Sequence, residues 1–356
     1  MVILMNKKFL FRLLGLVLLV LSISAAVIYF TFDIRALSYL KMFNSQCILL
    51  ALASLAVGLF FDGLRLITLA KVTGELLTLR QIVNVVLSNY FLALFTPGAS
   101  GGAIAQVMFM RKAGVPVAKS TVVVLVRTIM SIFFLILLVP VVIHSDADIV
   151  KWMPASVLTI VSCVFMALPL LAWRLMGTSY PEGWLYYFTK KVNHVTRRRC
   201  FAWYGDFKNA FKIMGQHPYL MLRAFLESGL SLLFIYGTVP AFFTGINIEF
   251  DLLQVMGRMV LLNLVLYFSP TPGGSGIAEA GFVMLFSNLL PAGVDGIMAV
   301  LWRFAAEYLP FVLGACVTLR AFGADVINRA TEKNEPHEEN LEPAAKMQEK
   351  KEKHSI

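Results

Sequence analysis

Long apolar stretches alternate with short polar ones along the chain, and their lengths can be compared with a bilayer. A hydrocarbon core about 30 Å thick takes roughly 20 residues of helix at 1.5 Å each. Residues 13–32, 42–61, 152–173 and 228–248 contain no Asp, Glu, Lys or Arg. Residues 120–143 are apolar except for Arg127, and 296–319 except for Arg303 and Glu307. Six full spans are predicted. The first follows Lys7, Lys8 and Arg12, a flank that a signal peptide shares. Its length favours a retained anchor.

Two further apolar regions are interrupted. Residues 81–110 carry no charge but are broken by Thr96-Pro97-Gly98-Ala99-Ser100-Gly101-Gly102. Residues 252–290 are broken by Ser269-Pro270-Thr271-Pro272-Gly273-Gly274-Ser275-Gly276. Proline stops the incoming helix and glycine permits the reversal. The halves are short for a crossing, which predicts two re-entrant helical hairpins. Irregular backbone at that depth must be buried in protein or line a wet cavity. The predicted fold class is an all-α polytopic integral membrane protein of about six spans plus two re-entrant hairpins.

Composition agrees. The 356 residues are 58% hydrophobic and 15% charged, which excludes an ordinary soluble enzyme, a disordered chain and a disulfide-stapled domain. Four Cys and five His show no disulfide framework or metal-ligand spacing, so no metal and no cofactor are expected. The net charge of +10 is explained by the membrane and not by nucleic acid. Lys7, Lys8 and Arg12 place the N-terminus, residues 1–12, in the cytoplasm. Alternation then puts Lys71, Arg80, Arg111, Lys112, Lys119 and the basic loop 174–223 on the same side. Asp146, Asp148, Glu249, Asp251 and Asp295 fall opposite. Both termini are expected in the cytoplasm of a cell (inner) membrane protein. Within the basic loop, Trp203, Tyr204, Phe207, Phe211 and Met214 share a helical face beside Lys208 and Lys212. That pattern suits an interfacial helix on anionic lipid, or a segment packed on the other helices. The tail 331–356 mixes seven Glu with five Lys and has few apolar residues, a disordered composition.

The two breaks form a repeat. Thr96-Pro97-Gly98-Ala99-Ser100-Gly101 and Thr271-Pro272-Gly273-Gly274-Ser275-Gly276 share five of six residues. Arg127 lies 31 residues after Thr96, and Arg303 lies 32 after Thr271. The topology inverts the copies, so that a domain over 13–330 holds repeat one at about 81–143 and repeat two at about 251–320. Inverted repeats with broken helices mark the substrate site in many transporters.

Phe95-Thr96-Pro97-Gly98-Ala99-Ser100-Gly101-Gly102, Arg127, Ser269-Pro270-Thr271-Pro272-Gly273-Gly274-Ser275-Gly276-Ile277-Ala278-Glu279 and Trp302-Arg303-Phe304-x-x-Glu307-Tyr308 resemble the flippase-like, lysylphosphatidylglycerol synthase transmembrane-region family. The resemblance covers roughly residues 10–320. Its best-studied members fuse this region to a cytoplasmic domain that transfers lysine to phosphatidylglycerol, and move the product across the bilayer. Only about 36 residues follow Leu319, so the resemblance implies the lipid-translocating part and not the lysyl-transfer domain. It implies an anionic phospholipid or polyprenyl-phosphate lipid as partner, beside a homo-oligomer or a separate synthase.

An ionisable group inside a span is a functional candidate by default. Arg127 and Arg303 keep their charge and offer a planar fork for phosphate. The alternative is neutralisation, of Arg303 by Glu307 one turn on and of Arg127 by a carboxylate on another helix. Glu279 either caps a helix N-terminus or, with Glu307, serves proton coupling or gating. Ser100 and Ser275, with Gly98 and Gly273, form anion-binding nests or plain helix caps. Asp62 with Arg65, and Arg223 with Glu227, have the spacing of interface pairs. Arg258 and Asn263 are expected to snorkel or bond locally. No P-loop, nucleophile elbow or donor-binding domain appears. Two functions remain: translocation of an anionic lipid, and an integral-membrane transferase acting on a lipid phosphate with Glu279 as base, or its accessory subunit.

Overall fold

The structure, a computed structural model, describes residues 45–332 except 97, 99, 147, 150–155, 158, 161–162, 165–166, 168–170, 172–173, 175–179, 191–192 and 292. The predicted span 13–32 and most of 152–173, the N-terminal 1–12 and the tail beyond 332 lie outside it.

The described chain is helical without a strand: α1 (Ser45–Val72), α2 (Leu79–Ala93), α3 (Ser100–Lys112), α4 (Val117–Ser145), α5 (Tyr180–Thr189), α6 (His194–Gly215), α7 (Pro218–Tyr236), α8 (Thr238–Gly245), α9 (Leu252–Tyr267), α10 (Ile277–Phe286), α11 (Val294–Arg303) and α12 (Leu309–Glu332). A single π turn, Phe304–Tyr308, joins the last two. Four helical stretches are long and apolar enough to cross a membrane: Ser45–Val72, Val117–Ile143, Pro218–Gly245 and Val294–Ala321. The protein is an all-α membrane protein. Leu50, Phe60, Ile104, Val141, Leu226 and Val312 stand exposed on its helices, as a lipid-facing surface requires.

Local rules explain the ends. Thr78 begins α2 through a reciprocal cap, its Oγ1 accepting from Gln81 N at 3.4 Å while Gln81 Oε1 accepts from Thr78 N at 2.8 Å. Asp251 Oδ1 accepts from Leu253 N at 2.8 Å to start α9. The span expected at 228–248 starts ten residues earlier, with Pro218 in its first turn. Arg223 and Glu227 do not interrupt it, because they pair at 2.8 Å and Glu227 also accepts from Thr68 Oγ1 at 2.8 Å. The same span breaks at Gly237, where the ring of Pro240 displaces the regular ladder.

Packing is closest where glycines face backbone. The α1–α7 contact is the most extensive, and a Cβ on Gly58 would come within 2.6 Å of Ile235. The α2–α3 hairpin closes on Gly101 and Gly102, whose Cβ positions are taken by Thr96, Leu92 O and Asn89. α12 lies on α2 with Gly314 against Leu87 O, which a Cβ would approach to 2.2 Å. One apolar core joins α4, α7, α8, α9, α10 and α11, and a second joins α1, α2, α3 and α4. In the former, Phe282 stacks between Phe286 at 4.3 Å and Trp302 at 5.5 Å.

Arg258 is not a snorkelling residue. It is 2% exposed and donates to Asp146 Oδ2 at 2.6 Å and to Leu285 O and Asn288. Asn288 in turn donates to Asp148 Oδ2 at 2.9 Å, so the ends of α4 and α10 are clamped onto α9. Asn263 bonds locally, to Met259 O at 2.9 Å. The predicted amphipathic face 203–214 belongs to helix α6, which packs on α4. Lys208 reaches back to Glu182 of α5 at 2.7 Å.

Gly314→Ala is expected to destabilise the protein by about 1–3 kcal/mol, because backbone cannot move aside for a methyl. Gly205→Ala, with nothing within 4 Å of its Cβ, should hold or gain stability. Thermal unfolding in detergent compares the two. Burial raises the Asp146 carboxyl, but hydrogen bonds from Arg258 and Gln254 and the charge of Arg258 outweigh it, leaving it below its ordinary value. A lowered folded pKa contributes stability above the unfolded value of about 3.9 and loses it as pH falls through the folded value. The stability advantage of the native chain over Asp146→Asn should therefore be constant near neutrality and vanish only below about pH 4.

Candidate functional site: two charged clusters at the meeting of the hairpins

The two breaks fold to the same local solution and then meet. Gly98 and Gly273, at the same position of the two motifs, take φ of +56° and +57°. A side chain is strained there. Their amides cross: Gly98 N donates to Ser269 O at 2.9 Å, and Gly273 N donates to Thr96 O at 3.4 Å. The backbone groups freed by each break thus find partners in the other break, as an apolar surrounding demands. Contact is tight, with Leu94 O and Leu94 Cα lying 3.0 and 3.2 Å from a Cβ built on Gly273. Phe91, Phe95 and Phe311 pack at 5.5 Å beside the first break.

The second cluster sits on the second break. Arg303, 1% exposed at the end of α11, donates to Gly273 O at 2.9 Å and to Ser275 Oγ at 3.4 Å. It also pairs with Glu307, while its Nε stands 3.3 Å from Glu279 Oε1. Glu279 Oε2 accepts from Gly276 N at 2.7 Å, so one carboxylate both caps α10 and faces the guanidinium. Tyr308 lies under Arg303, 5.6 Å from ring centre to guanidinium carbon. The π turn carries Glu307 and follows Arg303 directly; such turns are frequent at functional sites.

The first cluster lies between α1 and α4. Arg127 grips Asp62 with two nitrogens, Nε to Oδ1 at 3.1 Å and Nη2 to Oδ2. Arg65 pairs with the same carboxylate and donates from Nη1 to Ser131 Oγ at 2.6 Å. Tyr90 of α2 and Tyr267 of α9, both half-buried, lie within the electrostatic reach of these charges. Tyr267 O also stands 3.4 Å from a Cβ built on Gly98, so the first cluster adjoins the joined breaks.

The residues singled out in the sequence separate accordingly. Arg303, Ser275, Gly273, Glu279 and Glu307 come together in one cluster. Arg127 belongs to the other, and Gly98 lies at the contact between the breaks. Ser275 is buried and its hydroxyl faces Arg303, whereas Ser100 opens α3 with its side chain exposed. Asp62 and Arg65 are more than an interface pair, because Asp62 binds two guanidiniums. Their signal in the sequence was two opposite charges three residues apart in an apolar helix whose one other charge, Lys71, lies in its last turn. Ser131, Tyr90, Tyr267 and the π turn carried no such signal. Among the described residues, no group of His, Cys, Asp and Glu could hold a metal.

The fold and site define the class: an all-α membrane protein with two proline–glycine hairpins joined beside buried arginines. Residues 14–314 match the model of the lysylphosphatidylglycerol synthase TM region family, and the chain belongs to that family. It is also similar to a UPF0104 membrane protein of Archaeoglobus fulgidus, 22% identical over 309 residues that cover 83% of this chain and 94% of the relative.

Arg303 has two carboxylates, so Glu279→Gln or Glu307→Gln alone leaves it one. Each should cost at most about 1–2 kcal/mol, whereas the double change strands a buried cation and should cost about 3–5 kcal/mol. Unfolding of the four proteins in detergent gives the cycle.

Proposed function

We propose that this domain translocates an anionic phospholipid, or a polyprenyl-phosphate-linked lipid, across the cytoplasmic membrane. The observation that carries this reading is the pairing of the two breaks by crossed backbone hydrogen bonds, with a buried arginine cluster against them. A charged head group cannot cross hydrocarbon unaided, and a polar track inside the protein lowers its desolvation cost. The two hairpins act as an inverted repeat. About 15 Å of helix separates Val117 from Arg127, and a similar length separates Val294 from Arg303. With α4 and α11 entering from opposite faces of a core about 30 Å thick, both arginines come near its middle, on either side of the joined breaks. The head group is engaged by Arg127 with Gly98 and Ser100 on one side and by Arg303 with Gly273 and Ser275 on the other. Its tails stay in lipid. Glu279 and Glu307 exchange Arg303 between protein and lipid partners and so gate the passage. Conformational change separates the hairpins in turn, which exposes the track alternately.

The test is reconstitution. In proteoliposomes with a fluorescent anionic phospholipid, the native chain should speed transfer between leaflets. Arg127→Gln with Arg303→Gln should reduce that rate by at least about tenfold, the loss expected for a charge-assisted hydrogen bond, with insertion unchanged. Native transfer by the double variant, or a covalently modified lipid formed from a donor, would overturn the proposal.

A further inference from the structure

The two clusters differ in net charge. Two guanidiniums, Arg65 and Arg127, face Asp62, the carboxylate that meets them among the described residues. One positive charge is left over. Two carboxylates, Glu279 and Glu307, face Arg303, so these three groups sum to one negative charge. Asp62 and Arg65 are 1% and 3% exposed, so water does little to offset the first excess. Arg65 spends its terminal nitrogens on Ser131 and Asp62, yet its buried Nε has no hydrogen-bond partner. An uncompensated buried cation with a spare donor is a poor end state for a folded protein and a good receptor for an anion. Arg127 keeps 8% exposure, the most of the three, and the hydroxyl-bearing, half-buried Tyr90 and Tyr267 lie within its electrostatic reach. The Arg303 cluster offers the reverse: its surplus is negative, and its guanidinium is held by Gly273 O, Ser275 and two carboxylates.

We propose that the Asp62–Arg65–Arg127 cluster is the resting seat of a singly charged lipid phosphodiester, and that Arg65 is the residue that sets this charge preference. The proposal rests on the translocation reading and deepens it. A phosphodiester carries one negative charge and matches the excess. A phosphomonoester carries about 1.5 to 2 near neutrality and leaves the seat overcharged. Arg127, the most exposed of the three at 8%, binds the head group directly. Arg65, behind Asp62, acts by keeping that carboxylate occupied, so that Arg127 is not wholly neutralised.

The test measures binding and leaves transport aside. The purified full chain in detergent is titrated with phosphatidylglycerol, a diester, and with phosphatidic acid, a monoester, at pH 8 and followed by native mass spectrometry. The native chain should prefer phosphatidylglycerol. Arg65→Gln removes the excess and should weaken phosphatidylglycerol at least about tenfold, while Arg65→Lys retains it within about threefold. Asp62→Asn raises the excess to two and should move the preference at least about tenfold toward phosphatidic acid. A ratio between the two lipids that is unmoved in Asp62→Asn overturns the proposal. Should Arg65→Gln not fold, that ratio decides alone, since it does not depend on the active fraction. A shifted ratio without transfer in proteoliposomes would sink translocation and keep the seat. Transfer with an unmoved ratio would sink the seat and keep translocation.

Discussion

A guanidinium cannot be left bare inside an apolar helix bundle, and much of this structure follows from how three of them are satisfied. Arg127 reaches from α4 to Asp62 of α1, Arg303 reaches from α11 to the second break, and Arg258 reaches from α9 to Asp146 at the end of α4. Each bond joins elements distant in sequence. Apolar contacts between such helices are nearly interchangeable with lipid contacts, so they specify position weakly. The ion pairs do not share that indifference, because a misplaced partner strands a buried charge. They fix which helices meet and at what level, and close glycine contacts such as Gly58 on Ile235 and Gly314 on Leu87 then set the distance.

The second constraint comes from the backbone. A proline–glycine break in an apolar surrounding exposes amides and carbonyls that no solvent reaches. Here the two breaks answer one another, through Gly98 to Ser269 and Gly273 to Thr96. The two hydrogen bonds that join the hairpins run from backbone to backbone. The same contact also joins the two charged clusters, since Gly273 O accepts from Arg303 and Tyr267 lies beside both Gly98 and the Arg65–Arg127 pair. The proposed passage requires a head group to replace these two backbone bonds.

Membership of the lysylphosphatidylglycerol synthase TM region family sets this geometry in a lipid-handling context. The opposite surplus charges of the two clusters give the proposed track a direction of electrostatic bias, positive near Asp62 and negative near Glu307. The π turn after Arg303 is the other asymmetric element. It widens the helix where Glu307 must reach back to the guanidinium, and α4 shows no counterpart beside Arg127.

The all-helical membrane class, the two breaks and the short-range pairs were legible in the sequence. Each rests on a local rule: helix length against bilayer thickness, proline and glycine against the backbone ladder, and partners three or four residues apart on one helix face. That is why Arg303 with Glu307, Arg223 with Glu227 and Asp62 with Arg65 could be named from spacing alone. Which carboxylate Arg127 meets could not, because Asp62 lies 65 residues away and only the packing of α1 on α4 brings it within reach. The same holds for Arg258, expected to snorkel or bond locally, which instead meets Asp146, 112 residues distant. The sequence by itself settled what kinds of elements form and which charges pair at short range. Tertiary structure alone decided how those charges are shared out, because a buried ion chooses its partner in space and not along the chain.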